Sequence, residues 1–388
     1  MRLAFYYHIP VGVDINGDLY VPSFHGFFID SVASNISELI LIAHTFEGVD
    51  DYRLNSSNIT LKSIGPITSS LNRHFFHRKL LFKLNIFLEN VDVFLIRSPS
   101  PLAPFIPKYV SDKCLILYYV VGSYKSTANE LSVNNFRSFL IKLYLNYNHR
   151  LFIRQLKNRH VFINSQILKA DFSDITKSIH LIPTSSTSRN DFFIKNDTCN
   201  KKTINILFCS RIGFDKGVLE LLNSFAELRS KFDNLHLHYV GWEDNQNNSV
   251  QNYLSVLTHE LSISDYVSFH GYKKAGAELN KFYRLSDIYV LPSYHEGFPR
   301  TIWEAMANSL PVVTTTVGSI PTRLKPDYHA VLIEPKSASE ISKSIMKIIK
   351  NKSFRMRLIK NGRNLAKNYT YESLSKQLTT KIKVLLNK

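Results

Sequence analysis

A strand–loop–helix–strand pattern over residues 286–318 constrains the fold of this chain more than any other feature. The run SDIYVLPS is short, apolar and ended by Pro292, which is typical of a buried parallel strand. The loop YHEGFP follows, in which we expect Gly297 to adopt a positive φ and Pro299 to open the first helical turn. TIWEAMA then predicts a helix and LPVVTTTVG the next strand. The pattern is a βαβ unit, and it predicts a parallel sheet covered by helices.

Two carboxylates lie in this unit, Glu296 on the loop and Glu304 on the helix, with seven residues between them. Ligands of open α/β sheets bind outside the carboxyl ends of the strands, where N–H groups at the start of a helix favour an anion. We expect the loop carboxylate to reach one end of a bound ligand and the helical carboxylate to reach another. The same spacing also fits a surface loop followed by one solvated helical glutamate.

A second strand–loop–helix pattern begins at Ile204 and contains two bases, Arg211 and Lys216, across a turn that contains glycine. A guanidinium fork and an ammonium point charge together suit a diphosphate. We therefore predict that both side chains point at one phosphate group. Two solvated loop bases would give the same pattern.

Length and composition predict two globular domains. The chain has 388 residues, of which 44% are hydrophobic and 12% aromatic, and this excludes a disordered protein. We expect neither a membrane span nor a signal peptide, since no apolar run is long enough and the N-terminus lacks an apolar core segment. The cysteines, Cys114, Cys199 and Cys209, are scattered without metal spacing, which favours a reducing compartment and predicts a cytoplasmic protein.

The charge is strongly positive, with 48 Lys and Arg against 31 Asp and Glu and a formal net charge of +17. Such a field attracts polyanions, whether nucleic acid, anionic lipid or phosphorylated substrates. Two segments of the first half contain bases and no acid, residues 52–88 and 131–170. Within them, Arg73–Leu88 predicts an amphipathic helix that either lies on a membrane surface or packs its Phe and Leu side on a sheet. Phe136–Arg159 predicts a long basic helix.

The order of patterns predicts a first domain over residues 1–185, a polar linker over 186–203, a second domain over 204–370 and a last helix over 371–388. We expect a loop of turn formers from His8 to Asp18, in which Gly17 fits an ordinary Asn-Gly turn. His236, His238 and His270 lie on predicted strands and do not have the spacing of a metal site with a carboxylate.

The block around Glu296 and Glu304 resembles the E-x7-E signature of the GT4 family, retaining glycosyltransferases of the GT-B fold. SRIGFDKG, which contains Arg211 and Lys216, resembles the G-R-x-x-x-x-K-G element of the same family. The resemblance covers roughly residues 204–371 and is weaker before them. It implies an α/β protein with two Rossmann-like, doubly wound domains that face each other across a cleft, and a last helix that crosses back to the first domain.

The resemblance also implies roles for individual residues. Glu296 is the catalytic residue on the sugar side, and Glu304 binds the ribose of the nucleotide. The remaining donor-binding residues that it implies are Arg211, Lys216, Gly297, Phe298, Thr301, Gly271 and Tyr272. In the first domain it implies Gly17 near the donor diphosphate, and His25 is a further candidate near the cleft. The family often has a histidine after the strand that ends at Val121; here Gly122 follows, so other first-domain catalytic residues stay open.

The function implied is transfer of a sugar from a nucleotide-sugar donor to a hydroxyl acceptor, a lipid-linked or polysaccharide glycan such as lipopolysaccharide or capsule. The resemblance implies no metal and no other cofactor. The expected partners are the donor, the acceptor and an anionic membrane surface at the inner face of the plasma membrane. Two alternatives stay open: a GT-B phosphorylase or epimerase, and a basic nucleic-acid-binding protein. The second alternative rests on charge alone, since we find no motif that reads nucleic acid.

Overall fold

The computed structural model describes residues 1–111, 113–133, 135–243 and 249–387. Contacts divide the chain into two compact units, residues 1–184 with 371–388, and residues 185–370. Each unit is an α/β structure built on its own sheet.

The strands of the first unit are β1 (Arg2–Tyr6), β2 (Val11–Val13), β3 (Leu19–Val21), β4 (Glu38–Glu47), β5 (Tyr52–Arg53), β6 (Ile59–Pro66), β7 (Val93–Ser98), β8 (Leu115–Val120), β9 (His160–Ile163) and β10 (Ser178–Leu181). Its helices up to that point are α1 (Ser23–Ala33), α2 (Ser70–Phe75), α3 (His77–Leu81), α4 (Leu84–Phe87), α5 (Tyr124–Glu130), α6 (Phe136–Leu156) and α7 (Ile167–Phe172).

Within the described residues, the first sheet has the order β10-β9-β8-β7-β1-β4-β2-β3-β5, with β6 also paired to β4. The run from β10 to β4 is parallel throughout, and its central strands β1 and β7 are buried almost along their whole length. Burial on both faces explains why these strands read as continuous apolar runs. The β2–β3 hairpin is antiparallel, so the predicted loop from His8 to Asp18 is in part a strand.

One prediction in the basic segments needs correction. The single helix expected over Arg73–Leu88 is three short helices, α2, α3 and α4, because the backbone leaves the helical region at Phe76 (φ −98°, ψ 21°). His, Phe and Asn are weak helix formers, and they make up much of this segment. After β8, helix α5 begins at Tyr124. The long basic helix is confirmed as α6, which Asn135 caps and which ends at Leu156.

The strands of the second unit are β11 (Ile204–Cys209), β12 (Leu235–Val240), β13 (Val267–Phe269), β14 (Ile288–Leu291), β15 (Val312–Thr315) and β16 (Val331–Ile333). Its helices are α8 (Val218–Arg229), α9 (Ser249–Glu260), α10 (Ala277–Leu285), α11 (Thr301–Ala307), α12 (Ile320–Arg323), α13 (Ala338–Lys350) and α14 (Lys352–Ala366). The last helix of the chain, α15 (Tyr371–Leu386), packs against α1 of the first unit, where the Tyr371 ring lies 5.5 Å from that of Phe27.

The described strands of the second unit form a parallel sheet in the order β13-β12-β11-β14-β15-β16. The βαβ unit predicted from the sequence is confirmed as β14, α11 and β15. Residues 186–203, expected as a linker, pack with this unit instead. Phe192 contacts its core, and Asp197 pairs with the buried Arg355 at 2.7 Å. Because the segment is mostly polar in composition, its sequence gives no indication of these two contacts.

Candidate active site

The order of strands places a switch point between β11 and β14. From β11 the chain passes to β12 on one side, and it later returns to β14 on the other side. The connections that leave the two neighbouring strands therefore run to opposite sides, and in open α/β sheets ligands bind at the carboxyl edge of such a switch point. Arg211 and Lys216 lie on the loop after β11 and Glu296 on the loop after β14, while Glu304 lies on α11.

Gly217 sets how closely the two loops approach. Its φ is +69°, and a Cβ placed there would lie 2.2 Å from the carbonyl oxygen of Pro292. Only glycine tolerates both the conformation and the contact. As a result the turn that carries Lys216 lies directly against the exit of β14.

Lys216 and Glu296 form an ion pair across this contact. The lysine Nζ lies 2.7 Å from Oε1 of the glutamate, and each side chain is only 14% exposed. Ser293 donates a hydrogen bond of 3.0 Å to the same carboxylate oxygen. Water screens such a shielded pair less than it screens a surface pair, so each charge depends on the other for compensation.

Arg211 has a different partner from the one expected. Its guanidinium pairs with Asp215 on the same loop, at 2.5 Å. The structure thus brings Arg211 and Lys216 onto one loop but pairs each with its own carboxylate. Their joint contact with one phosphate group stays a prediction.

The loop around Glu296 is shaped by a glycine other than the one expected. The backbone of Gly297 does not adopt a positive φ, so that prediction is wrong. Gly318 does, at +59°, and a Cβ on it would lie 1.8 Å from the carbonyl oxygen of Glu296. Ser319 then donates its N–H to the carbonyl of Gly297 at 2.7 Å. Pro299 precedes the helix rather than opening it, since α11 begins at Thr301.

Phe298 and Thr301 are anchored inside the unit by their side chains. The Phe298 ring stacks on Trp303 at 4.5 Å, and the Arg323 guanidinium lies 4.7 Å from the same ring. The Thr301 hydroxyl accepts a hydrogen bond of 2.7 Å from Tyr289. The backbone of this segment is therefore what we expect a ligand to meet.

Glu304, in the first turn of α11, lines a narrow pocket. Tyr283 donates a hydrogen bond of 2.7 Å to its carboxylate. Burial raises the pKa of the Glu304 carboxyl, while the hydroxyls of Ser186 and Tyr283 act to lower it. The pocket is lined by Ser186, Thr187, Asp191, Ala275, Gly276, Leu279, Asn280 and Glu304.

The Thr187 hydroxyl indicates a missing partner in this pocket. Thr187 is 1% exposed, and its hydroxyl oxygen has no hydrogen-bond partner. Buried polar groups are normally satisfied. The Thr187 hydroxyl and the Glu304 carboxylate offer polar contacts to a ligand that carries hydroxyl groups.

Sequence reasoning missed Ser186, Thr187 and Asp191, because the polar stretch that contains them has the composition of a linker. Tyr283 was missed because α10 carries no motif. No spacing signal identifies these residues; the fold brings them to Glu304.

The turn after β13 holds the other predicted donor-binding residues. Gly271 has a φ of +64°, and its carbonyl accepts the N–H of Gly241 at 3.0 Å. The Tyr272 ring is 62% exposed and meets the Trp242 ring edge-on at 5.7 Å. An exposed aromatic pair beside the crevice is a suitable surface for stacking a base.

Three histidines lie side by side on this sheet. Nδ1 of His238 lies 3.0 Å from Nε2 of His270, and the His236 and His238 rings stack at 4.5 Å. His236 and His238 are strand side chains, as expected, whereas His270 lies just after the end of β13 at Phe269. Across the part of the chain that the structure describes, no group of three or more His, Cys, Asp or Glu residues could hold a metal ion.

The first unit holds the two remaining candidates. Gly17 lies in the turn of the β2–β3 hairpin with a φ of +82°, and a Cβ on it would have no heavy atom within 4 Å. It is an ordinary turn residue. His25 is 5% exposed, and its Nδ1 lies 2.6 Å from the Tyr7 hydroxyl. The donor-binding role of both residues stays a prediction.

Residues 190–365 match the family model of the glycosyl transferases group 1. The chain contains a glycosyl transferases group 1 domain. Both carboxylates of the motif, Lys216 and the Glu304 pocket lie in this group 1 domain, apart from Ser186 and Thr187 just before it.

Curated relatives match this chain at low identity. Mannosylfructose-phosphate synthase of Agrobacterium fabrum is 28% identical over 228 residues, which are 56% of this chain and 50% of that protein. N,N'-diacetylbacillosaminyl-diphospho-undecaprenol alpha-1,3-N-acetylgalactosaminyltransferase of Campylobacter jejuni is 26% identical over 258 residues, 65% of this chain and 64% of that protein. The chain spans about half the length of the first curated relatives it matches.

Solved structures extend the likeness beyond the group 1 domain to the whole chain. The Anabaena protein HepE, solved with UDP-glucose, superposes with a TM-score of 0.69 at 14% identity over 99% of this chain and 100% of its own. WaaG, a glycosyltransferase involved in lipopolysaccharide biosynthesis, gives a TM-score of 0.62 at 17% identity. The match covers 98% of this chain and 99% of WaaG. The chain has the GT-B fold. Among its described residues, we find no helix with the length and apolar character needed to cross a bilayer.

Proposed function

We propose that the protein is a retaining glycosyltransferase that moves a sugar from a nucleotide-sugar donor to a hydroxyl acceptor without a metal ion. The observation that carries the proposal is the placement of the two motif carboxylates in the second unit. Glu296 meets Lys216 at the β11–β14 switch point, and Glu304 lines a pocket with the unsatisfied Thr187 hydroxyl. One α/β unit thus offers a cation for a diphosphate and a polar pocket for a ribose.

The donor diphosphate is bound by charge. Lys216, Arg211 and the backbone N–H groups at the start of α8 neutralise it, and α8 is long enough, at 12 residues, to carry a helix dipole. These groups supply the electrostatic stabilisation of the leaving nucleotide for which other enzymes use a metal ion.

The nucleoside is bound at the pocket of Glu304. Its carboxylate accepts hydrogen bonds from the ribose hydroxyls, and Thr187 supplies a further polar contact. The exposed ring of Tyr272 stacks on the base.

Glu296 acts at the sugar. When the diphosphate takes up the charge of Lys216, the Glu296 carboxylate is released to accept a hydrogen bond from a sugar hydroxyl. It also stabilises the positive charge that develops on the sugar ring in an oxocarbenium-like transition state. The ion pair therefore couples donor binding to the catalytic carboxylate.

The acceptor is a lipid-linked or polysaccharide glycan of cell-surface polysaccharide synthesis. Two comparisons support this: the Campylobacter relative is named for a diphospho-undecaprenol acceptor, and WaaG is involved in lipopolysaccharide biosynthesis. We further propose that the enzyme is cytoplasmic and works peripherally at an anionic membrane surface.

A panel of nucleotide-sugars, each incubated with the protein in EDTA and a mixture of lipid-linked acceptors, tests the proposal. We expect one donor to raise the melting temperature of the protein and to be consumed. NMR of the product should show the same anomeric configuration as in the donor. Consumption of a glycan with phosphate, or epimerisation without an acceptor, would instead identify a phosphorylase or an epimerase. Salt-dependent binding to DNA without any nucleotide-sugar turnover would identify a nucleic-acid-binding protein.

A further inference from the structure

The first unit has a switch point of its own, between β1 and β7. From β1 the chain passes through α1 to β4 on one side, and it later returns to β7 on the other side. Tyr7 and His8 follow β1, and Arg97 and Ser98 end β7. These four residues lie at the carboxyl edge, where an open sheet binds ligands.

Arg97 is a buried cation without a carboxylate partner. It is 9% exposed, its Nη1 lies 2.9 and 3.0 Å from the two ring nitrogens of His8, and its guanidinium carbon lies 4.9 Å from the centre of the Tyr7 ring. Neither neighbour carries negative charge. Among the residues that the structure describes, no Asp or Glu lies within ion-pair distance of Arg97. Buried charges are normally paired, because an isolated one is costly.

His8 adds no charge of its own to this environment. Burial, together with the charges of Arg97 and Arg73, lowers the pKa of His8 to about 3. The ring is therefore neutral at physiological pH, with one nitrogen free to accept a hydrogen bond from Arg97.

Arg73, on helix α2, is a second cation whose charge acts on residues of this edge. Its Nε is buried without a hydrogen-bond partner, and its contact with the Ser70 hydroxyl is long, at 3.4 Å. Its positive charge acts to lower the pKa of both His8 and Tyr124. No acid occurs in the sequence from residue 52 to residue 88.

Two buried hydroxyls at this edge also have no partner. They are Oγ of Ser98 and Oη of Tyr124. The Ser98 residue is 0% exposed and the Tyr124 residue is 9% exposed. Two cations that form no ion pair with any described carboxylate, together with two unsatisfied hydroxyls, are suited to bind a multiply charged oxyanion.

We propose that the carboxyl edge between β1 and β7 is a binding site for a phosphate group, with Arg97 and Arg73 as its cationic ligands. The guanidinium fork matches phosphate oxygens, and two cations balance a doubly charged group. We assign this phosphate to the acceptor, and that assignment rests on the proposed function. The anion site itself does not depend on that assignment.

Titration calorimetry with methyl phosphate, a simple phosphate ester, tests the site. The second unit binds anions through Lys216, so all variants are prepared in a Lys216→Gln background. We expect methyl phosphate to bind this background, and Arg97→Gln or Arg73→Gln to weaken binding by about tenfold or more. Arg78→Gln and Arg154→Gln, at exposed positions of α3 and α6, are matched controls that should not change it. Equal affinity in all variants would overturn the proposal.

Two further measurements separate the alternatives. Arg97→Lys keeps the charge and loses the fork, so it should bind with intermediate affinity even if Arg97→Gln fails to fold. Inorganic phosphate that binds more tightly than methyl phosphate would identify a free-phosphate site and overturn the acceptor assignment. If acetate binds as tightly as methyl phosphate, the site is a general carboxylate site, and the assignment of a phosphate ligand is overturned. Arg97-dependent binding in a protein that turns over no nucleotide-sugar would refute the proposed function and leave this site intact.

Discussion

Nζ of Lys216 lies 2.7 Å from Oε1 of Glu296, which joins the loop after β11 to the loop after β14. The two residues are 80 positions apart in the sequence and belong to different motifs. Their contact makes one site out of a base that suits a diphosphate and a carboxylate that suits a sugar. A bound diphosphate would compete with Glu296 for the lysine, so the occupancy of one part of the site changes the charge on the other.

The first prediction concerns this pair. Lys216→Gln should weaken binding of a nucleoside diphosphate by about 10- to 100-fold, because a charged hydrogen bond to the phosphate is lost, and should leave the bare nucleoside unaffected. Glu296→Gln should lower turnover with little effect on free nucleotide affinity. Calorimetry and steady-state kinetics measure both. Lys231→Gln is the control, because Lys231 forms an ion pair of the same length, 2.7 Å, at an exposed position. Unchanged diphosphate affinity in a folded Lys216→Gln variant would contradict the assignment.

Loss of both partners provides a second readout of the same pair. Each single variant leaves one shielded charge without compensation, whereas the double variant leaves none. The double variant should therefore be less destabilised than the sum of the single variants, by about 1–3 kcal/mol in the free energy of unfolding. Additive losses would show that the pair is not coupled.

Glu304→Gln is predicted to separate stability from binding. Because burial raises the pKa of this carboxyl in the folded protein, its ionisation opposes folding as pH rises above the unfolded value. The neutral amide removes that cost, so the melting temperature of the unliganded variant at pH 7 should rise. Nucleotide affinity should fall by about 10- to 100-fold, because the charged acceptor for the ribose is lost. Glu278→Gln, at an exposed position of α10, is the control. A lower melting temperature would refute the predicted effect on stability, and an unchanged nucleotide affinity would refute the predicted effect on binding.

The two acid-free segments predict binding to anionic membranes. The structure brings them together: the Tyr144 hydroxyl of α6 donates to the Ser70 carbonyl of α2 at 3.0 Å. The surface that they form exposes large apolar side chains beside bases, among them Phe75, Phe76, Phe82, Ile86, Phe136, Phe139 and Leu143. We expect the protein to float with vesicles that contain anionic lipid. The fraction that floats should fall as added salt shortens the screening length below its value of about 10 Å at 0.1 M.

Charge reversal locates this membrane contact. Each base near an anionic surface contributes about 1 kcal/mol, so replacing Arg78, Lys79 and Lys83 by Glu should largely abolish flotation. The same reversal at three exposed lysines of the second unit, Lys281, Lys343 and Lys360, should have a much smaller effect. Equal recovery with neutral and anionic vesicles, or equal loss in both triple variants, would contradict a specific surface.

The histidine row predicts acid sensitivity. Burial and the neighbouring histidines lower the pKa of His238 to about 4, below its usual value of 6.5. The unfolded chain therefore binds more protons between these two values, and stability should fall as pH falls from about 6.5 to 4. His238→Gln should flatten this part of the pH profile of the melting temperature. His259→Gln, at an exposed position of α9, should leave the profile unchanged, and a His238→Gln profile like the wild type would contradict the prediction.

Local pattern alone was sufficient to predict the βαβ unit and the positions of most central strands. A buried parallel strand must be apolar on both faces, so β7, β11 and β14 can be read as continuous apolar runs. The motif carboxylates could be placed for the same reason, because a loop between such a strand and a helix lies at the carboxyl edge. Where burial is partial, as over Arg73–Leu88, periodicity predicted one helix and the chain forms three.

Only the tertiary structure decided which residues meet. Glu304 acquires Tyr283 and Thr187 from segments with no motif, and Arg97 reaches His8 across 89 positions of sequence. Such pairings depend on the order of strands in the sheets, and the hydrophobic pattern of a strand is the same whichever neighbour it has. The sequence determined the elements and the chemistry at their ends, because these follow from local burial and residue type. The sheet order determined the sites, because it alone sets which ends are adjacent.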